Sequence, residues 1–118
     1  MILKIGDTAA RTFTVSDEVV RGLSEVTGDR NPVHLDDELA RSTRFGRRIA
    51  HGMIAACQVS AVIGNTLPGP RTIYLSQSLQ FVAPVSIGDT VTTRATVTSI
   101  EEGKPITTLG TISRKPKR

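Results

Sequence analysis

The sequence predicts one α+β domain in which a long buried helix is wrapped by an antiparallel β-sheet. Three observations predict it. The 118 residues suit a single domain and leave little room for a second. Between His51 and Gly64, the residues Met53, Ile54, Ala55, Ala56, Cys57, Val59, Ala61, Val62 and Ile63 cover nearly the whole helix circumference, the pattern of a helix buried all round. The C-terminal half alternates apolar and polar residues with the period of strands. A sheet polar on one face must bury the other, and the apolar helix is the available partner.

The elements follow in order. Thr12-Phe13-Thr14-Val15 suits a short strand. Ser16 then reads as a helix N-cap, with Asp17 and Glu18 in the first turn, where carboxylates favour the positive end of the helix dipole. Val19, Val20, Leu23 and Val26 keep helical spacing, and Gly28 can end the helix. Pro32 lacks an N–H and pushes Asn31 out of the α region, so residues 29–34 form an ordered polar turn. A short helix fits residues 36–41 and a loop fits 43–48. Gly64-Asn65 terminates the buried helix, and Pro68-Gly69-Pro70 enforces a loop.

Beyond that loop, Ile73, Leu75, Leu79 and Phe81 line one face of a predicted strand, with Ser76, Ser78 and Gln80 opposite. Gly88-Asp89 marks a turn. Val91, Ala95 and Val97 then alternate with Thr92, Arg94, Thr96 and Thr98, and residues 101–104, which include Gly103, connect as a hairpin into a strand over 106–112.

Composition narrows the function classes. Aromatic residues are 3% of the chain, so the core is built from Val, Ile, Leu and Ala, and a base-stacking platform for single-stranded nucleic acid is excluded. The net charge is +4, but Arg114 to Arg118 hold four of the fifteen basic side chains, leaving eleven basic against eleven acidic elsewhere. We therefore expect a neutral domain over residues 1–113, a solvated basic tail over 114–118, and no nucleic-acid partner. Cys57 is the single cysteine, which precludes an intramolecular disulfide and suits a reducing compartment. Ile2-Leu3 is followed by Lys4 and Asp7 rather than by an apolar signal region. The longest apolar stretch, 53–63, is about half the roughly 20 residues a membrane helix needs. The expectation is a soluble, cytoplasmic protein without a membrane partner.

The residues with chemical potential are Gly28-Asp29-Arg30-Asn31-Pro32-Val33-His34, and His51-Gly52-Met53 at the start of the buried helix. Asp29 and His34 flank a Pro-containing turn that can aim both side chains at one point. A carboxylate and an imidazole gripping one water form an acid–base pair. The start of the helix offers unpaired backbone N–H groups and a positive dipole end. Gly52 there has no side chain to block a ligand, and its N–H can serve as an oxyanion donor to a carbonyl. These parts suit conjugate addition of water to an α,β-unsaturated thioester. The spacing equally suits a purely structural turn, since Asp and Asn side chains bond nearby backbone. Seventeen residues separate His34 from His51, no usual metal spacing is present, and no metal is expected.

The sequence resembles the MaoC-like (R)-specific enoyl-CoA hydratases, also called hydratase 2. Gly28-Asp29-Arg30-Asn31-Pro32-Val33-His34 looks like the family signature in full, and Phe45-Gly46 through Ile49-Ala50-His51-Gly52-Met53 matches its second hallmark. Tyr74 to Phe81, Pro84-Val85 and Gly88-Asp89 match the strand and turn that follow, so the resemblance covers nearly the whole chain. It implies a hot-dog fold, a homodimer, and (R)-specific hydration of trans-2-enoyl-CoA without a metal or redox cofactor. It also implies that Asp29 and His34 activate the water and that Gly52 N–H polarises the thioester carbonyl. Asn31 would shape the turn, and Ser60 would sit near the site. Ile63 would pack the core or line the acyl pocket.

Arg48 stands where family members commonly have Pro; Arg44, Arg47 and Arg48 would either meet CoA phosphates or form a solvated basic loop. His51 is expected to orient the helix start through hydrogen bonds, and Cys57 to be a small core residue. Family members run on through another turn and a final strand past the point matching Arg118; a strand missing there would expose a sheet edge or part of the acyl pocket. Two rival readings accompany the hydratase: a 3-hydroxyacyl-[acyl-carrier-protein] dehydratase, whose partner is an acyl-carrier protein, and a non-catalytic acyl-thioester-binding subunit.

Overall fold

The computed structural model describes residues 2–115. Strand β1 (Thr8–Thr14) leads into helix α1 (Asp17–Thr27), followed by two short helices, α2 (Pro32–Leu35) and α3 (Asp37–Arg41). Helix α4 (Met53–Asn65) comes next, then strands β2 (Thr90–Ile100) and β3 (Thr107–Arg114). The three strands form one antiparallel sheet in the order β1-β2-β3.

The sheet's register follows from its threonines. Thr12 pairs with Thr92 and Thr14 with Thr90, their hydroxyls 3.0 and 3.1 Å apart across the strands. Such polar pairs stabilise one face. The opposite face of β2 presents Val91, Thr93, Ala95 and Val97, all buried, toward the helical layer. Thr93 is tolerated there because its hydroxyl is satisfied by Ser113 Oγ at 2.8 Å. The core gathers Val15, Val20, Ala50, Ile54 and Val91, with Phe13, Val19, Leu23, Leu35, Val85 and Ile87 packed against it. Each fully buried Val there contributes roughly 1.5–3 kcal/mol relative to exposure.

Local signals hold where they are strong. Ser16 Oγ accepts from Val19 N, and Gly28 ends α1 in the left-handed region at φ 80° with its N–H on Ser24 O. Asp36 caps α3 through Glu38 and Leu39 N–H. Gly88, at φ 97°, turns the chain into β2.

Four expectations are corrected. First, residues 72–82 form no strand: Ile73, Leu75 and Val82 are exposed, and no described strand lies beside them. A strand needs a ladder partner, and among the described residues this segment makes no backbone hydrogen bonds to the free outer edge of β1 or of β3. Second, α4 is covered on one side only. Ile54, Ala56, Val59, Val62 and Ile63 are buried, while Met53, Cys57, Ser60 and Gly64 make an open stripe. Third, Cys57 falls on that stripe and is exposed rather than core. Fourth, Arg114 pairs with Thr92 and closes β3, so the strand takes in the first residue of the expected tail. Lys115 Nζ bonds Pro84 O at 2.9 Å; the rest of the basic tail, 116–118, lies outside the described residues.

Candidate functional site

The site is assembled by the end of α1, the turn after it, and the start of α4. Gly28 lets the chain reverse, and the next residues hold themselves by nested side-chain-to-backbone bonds. Thr27 Oγ1 accepts from Asp29 N at 3.1 Å, Asp29 Oδ1 from Asn31 N at 3.2 Å, and Asn31 Oδ1 from Val33 N at 3.2 Å. Asn31 is thus the N-cap of α2, and Pro32 takes the helix position where no N–H is needed. Arg30 reaches back to Glu25 at 2.8 Å, a solvent-exposed pair. Its hydrogen bond and charge hold the Glu25 carboxyl below its ordinary range and raise Arg30.

His34 lies in α2, 9% exposed, and its Nδ1 is 2.7 Å from Ile49 O. A carbonyl only accepts, so in the neutral ring Nδ1 carries the proton and Nε2 is a bare lone pair. His51 is buried just before α4. Its Nε2 lies 3.1 Å from Ser24 Oγ and 3.2 Å from Asp29 O. By the same reasoning Nε2–H donates to the Asp29 carbonyl, and His51 joins α1, the turn and α4. The two imidazole rings lie against each other, centroids 4.0 Å apart. One donor atom from each of Asp29, His34 and His51 lies within 4.8 Å of the other two. The fold therefore brings together three groups that the chain keeps apart.

Gly52 precedes α4, in line with its N-terminal N–H groups. Gly52 and His51 line a cleft of about 690 Å³ together with Phe45, Ala55, Val59 and residues 78–85. A side chain at Gly52 would crowd the Phe81 ring, whose Cε1 lies 3.1 Å from the position of a Cβ. Asp29 and His34 do not line the cleft; His51, in contact with the His34 ring, connects them to it.

The expected substrate-binding residues divide. Arg44 lines the cleft, with its guanidinium 4.8 Å from the Phe45 ring centroid. Arg48 is corrected: it is 8% exposed and its guanidinium is bound by Asp17 at the start of α1, so it pins the loop to α1 rather than facing a ligand. Ser60 lies on the open stripe of α4 and Ile63 is buried; neither lines the cleft. Three contributors escaped sequence reasoning: the Ile49 carbonyl, Phe81 over Gly52, and Ser24. Ser24 was findable, because it falls four residues after buried Val20 on the inner face of α1, where a lone hydroxyl needs a partner.

Comparison with known proteins identifies the fold and the family. A 3-hydroxybutyryl-CoA dehydratase of Methylorubrum extorquens is 47% identical over 98 residues, 83% of this chain and 62% of that protein. An (R)-specific enoyl-CoA hydratase of Rhodospirillum rubrum is 44% identical over 109 residues, 92% of this chain and 76% of that protein. The solved (R)-hydratase from A. caviae involved in PHA biosynthesis superposes with a TM-score of 0.94 at 41% identity, over 96% of this chain and 86% of that one. The α+β architecture is accordingly the hot-dog fold. A family model described as a MaoC like domain matches residues 5–115, and the chain belongs to that family.

Proposed function

We propose that the protein is an (R)-specific enoyl-CoA hydratase, a hydro-lyase that adds water reversibly to trans-2-enoyl-CoA and gives (R)-3-hydroxyacyl-CoA. The observation that carries the reading is the convergence of the Asp29 carboxylate and the His34 imidazole on His51, the residue before Gly52 at the start of α4. A water has two hydrogens, and the pair offers two acceptors, the Asp29 carboxylate and the bare Nε2 of His34. The thioester carbonyl lies toward the Gly52 N–H, which stabilises the enolate that forms when the water oxygen bonds the β-carbon. The pair takes one proton from that water and returns it to the α-carbon, so that one water is added overall. Asn31 holds the turn that aims Asp29, and His51 holds that turn against α4. Arg44 at the cleft wall serves the anionic end of CoA. No metal or redox group takes part in these steps.

Two further assignments belong to the same reading. We place the protein in the cytoplasm; among the described residues no helix is long and apolar enough to cross a membrane. We also propose a homodimer, supported by the apolar side chains of the unpaired segment and of α4 that face solvent, among them Ile73, Leu75, Val82 and Met53. Chiral analysis of the product tests the reaction: (R)-3-hydroxyacyl-CoA supports it, while the (S) product or release of free CoA refutes it. Matched CoA and carrier-protein thioesters in the same assay separate the hydratase from a carrier-protein dehydratase.

A further inference from the structure

Two rows of backbone groups border the cleft without ladder partners. Strand β3 is an outer strand of the sheet, so one of its edges is free. Residues 111–115, at its end, line the cleft on one side. Residues 78–83 line it on another, and among the described residues 73–83 make no backbone-to-backbone hydrogen bonds. The two walls meet at one end, where Lys115 Nζ donates to Pro84 O at 2.9 Å. Ala55, Ala56 and Val59 of α4 give the cleft an apolar lining. Thr111 shows how open it is. It pairs with Ala95 and so points to the same side of the sheet, yet Ala95 is fully buried and Thr111 is exposed. Only another peptide backbone supplies N–H and C=O groups at the spacing of such edges.

We propose that the cleft between β3 and residues 78–83 binds an extended segment of a second, different polypeptide by β-strand addition. Alternate side chains of that segment are apolar and rest on α4, and a carboxylate at its end meets Arg114. The charge follows from Arg114, which is exposed and makes no ion pair among the described residues. A second copy of this chain is the poorer occupant, because its own unpaired segment, 73–82, holds no charged residue to meet Arg114. The length follows from the five cleft-lining residues 111–115, which span roughly 17 Å as a strand. The docking stands on these edges and does not need the hydratase reading.

The test uses the full chain without substrate. The probe is a short fluorescein-labelled peptide of alternating Val and Thr with Glu at its N-terminal end. Paired antiparallel to β3, that Glu reaches Arg114. Fluorescence anisotropy should show saturable binding of one probe per chain below about 1 mM. N-methylation of the probe's odd-numbered residues removes the donors of one edge, and of its even-numbered residues those of the other. Each should weaken binding about tenfold or more, because both edges are paired. Loss from one set alone means pairing at a single edge and overturns the cleft assignment. Arg114→Glu should weaken the probe about threefold and strengthen a probe with Lys in place of Glu, a gain that a folding defect cannot produce. An unchanged preference between the two probes overturns the acidic partner. Sedimentation of the same samples identifies the occupant: a probe that binds only by splitting a dimer means that a second copy holds the cleft, which refutes the separate partner. No saturable binding refutes the docking outright.

Discussion

Gly52→Ala separates what this glycine does for the fold from what it does for the reaction. The added methyl meets Phe81 Cε1, Cδ1 and Cζ at 3.1, 3.2 and 3.4 Å, so the ring must give way by a few tenths of an ångström. Phe81 is 58% exposed and sits on a segment with no ladder bonds, so it yields for less than the roughly 1–3 kcal/mol of an overpacked core. Alanine at a helix N-cap costs roughly 0.5–1 kcal/mol more than glycine. The total is about 1 kcal/mol, a fall in Tm of about 3–6 °C for a domain of this size. On the proposed reading the reaction suffers more, because the methyl stands beside the N–H assigned to the thioester oxygen. Alanine keeps the N–H, so the loss comes only from displacement of the thioester oxygen, with the roughly 10²–10³ in kcat for a lost donor as the upper bound. Thermal unfolding and loss of enoyl absorbance, measured on the same preparation, give both numbers. Activity within about threefold of wild type, less than 1 kcal/mol of barrier, would refute the placement of the thioester against Gly52.

Other substitutions sort the remaining residues. Arg48→Met breaks the ion pair with Asp17; with Asp17 half exposed, urea melts should show a loss of about 2 kcal/mol, and KM for the CoA substrate should hold once the protein is folded. Arg44→Ala should do the reverse, raising KM at unchanged stability. Ser24→Ala leaves His51 its bond to Asp29 O, so a stability loss of about 1 kcal/mol is expected, with a fall in kcat as the turn loosens. Glu25 is held below its ordinary value of 4.5 by Arg30, so the pair stabilises the fold above that pH and the contribution is lost as pH falls through the lowered value. Arg30→Ala should therefore destabilise slightly at neutral pH, less in high salt, and not at all in acid.

Residues with a local physical signature were legible in the sequence. Ser16, Gly28 and Asn31 act within three or four positions of themselves, and each does in the structure what its side chain dictates. The alternation along β2 identified its buried face, because Val91, Ala95 and Val97 repeat at the strand period. Residues whose fate depends on distant partners were not legible. Ile73 to Phe81 has the pattern of a strand, yet a strand forms only where a partner edge is reached, and the segment makes no ladder with β1 or β3. Cys57 and Ser60 lie on a helix apolar enough to be buried all round, but a three-stranded sheet covers one side of it. Arg48 reads as one of a basic run until Asp17, thirty-one residues away, claims it. At the site, the turn and its carboxylate were visible, whereas the meeting of His34 with His51 is made by the return of the chain through Ile49.

The most direct test of the account is the rate of trans-2-butenoyl-CoA hydration by the wild type beside Asp29→Asn and His34→Ala, each checked for folding. The account predicts turnover by the wild type and a loss of roughly 10²–10⁴ in each variant. A folded wild type that hydrates neither short nor medium enoyl chains, or variants that keep the wild-type rate, would contradict it.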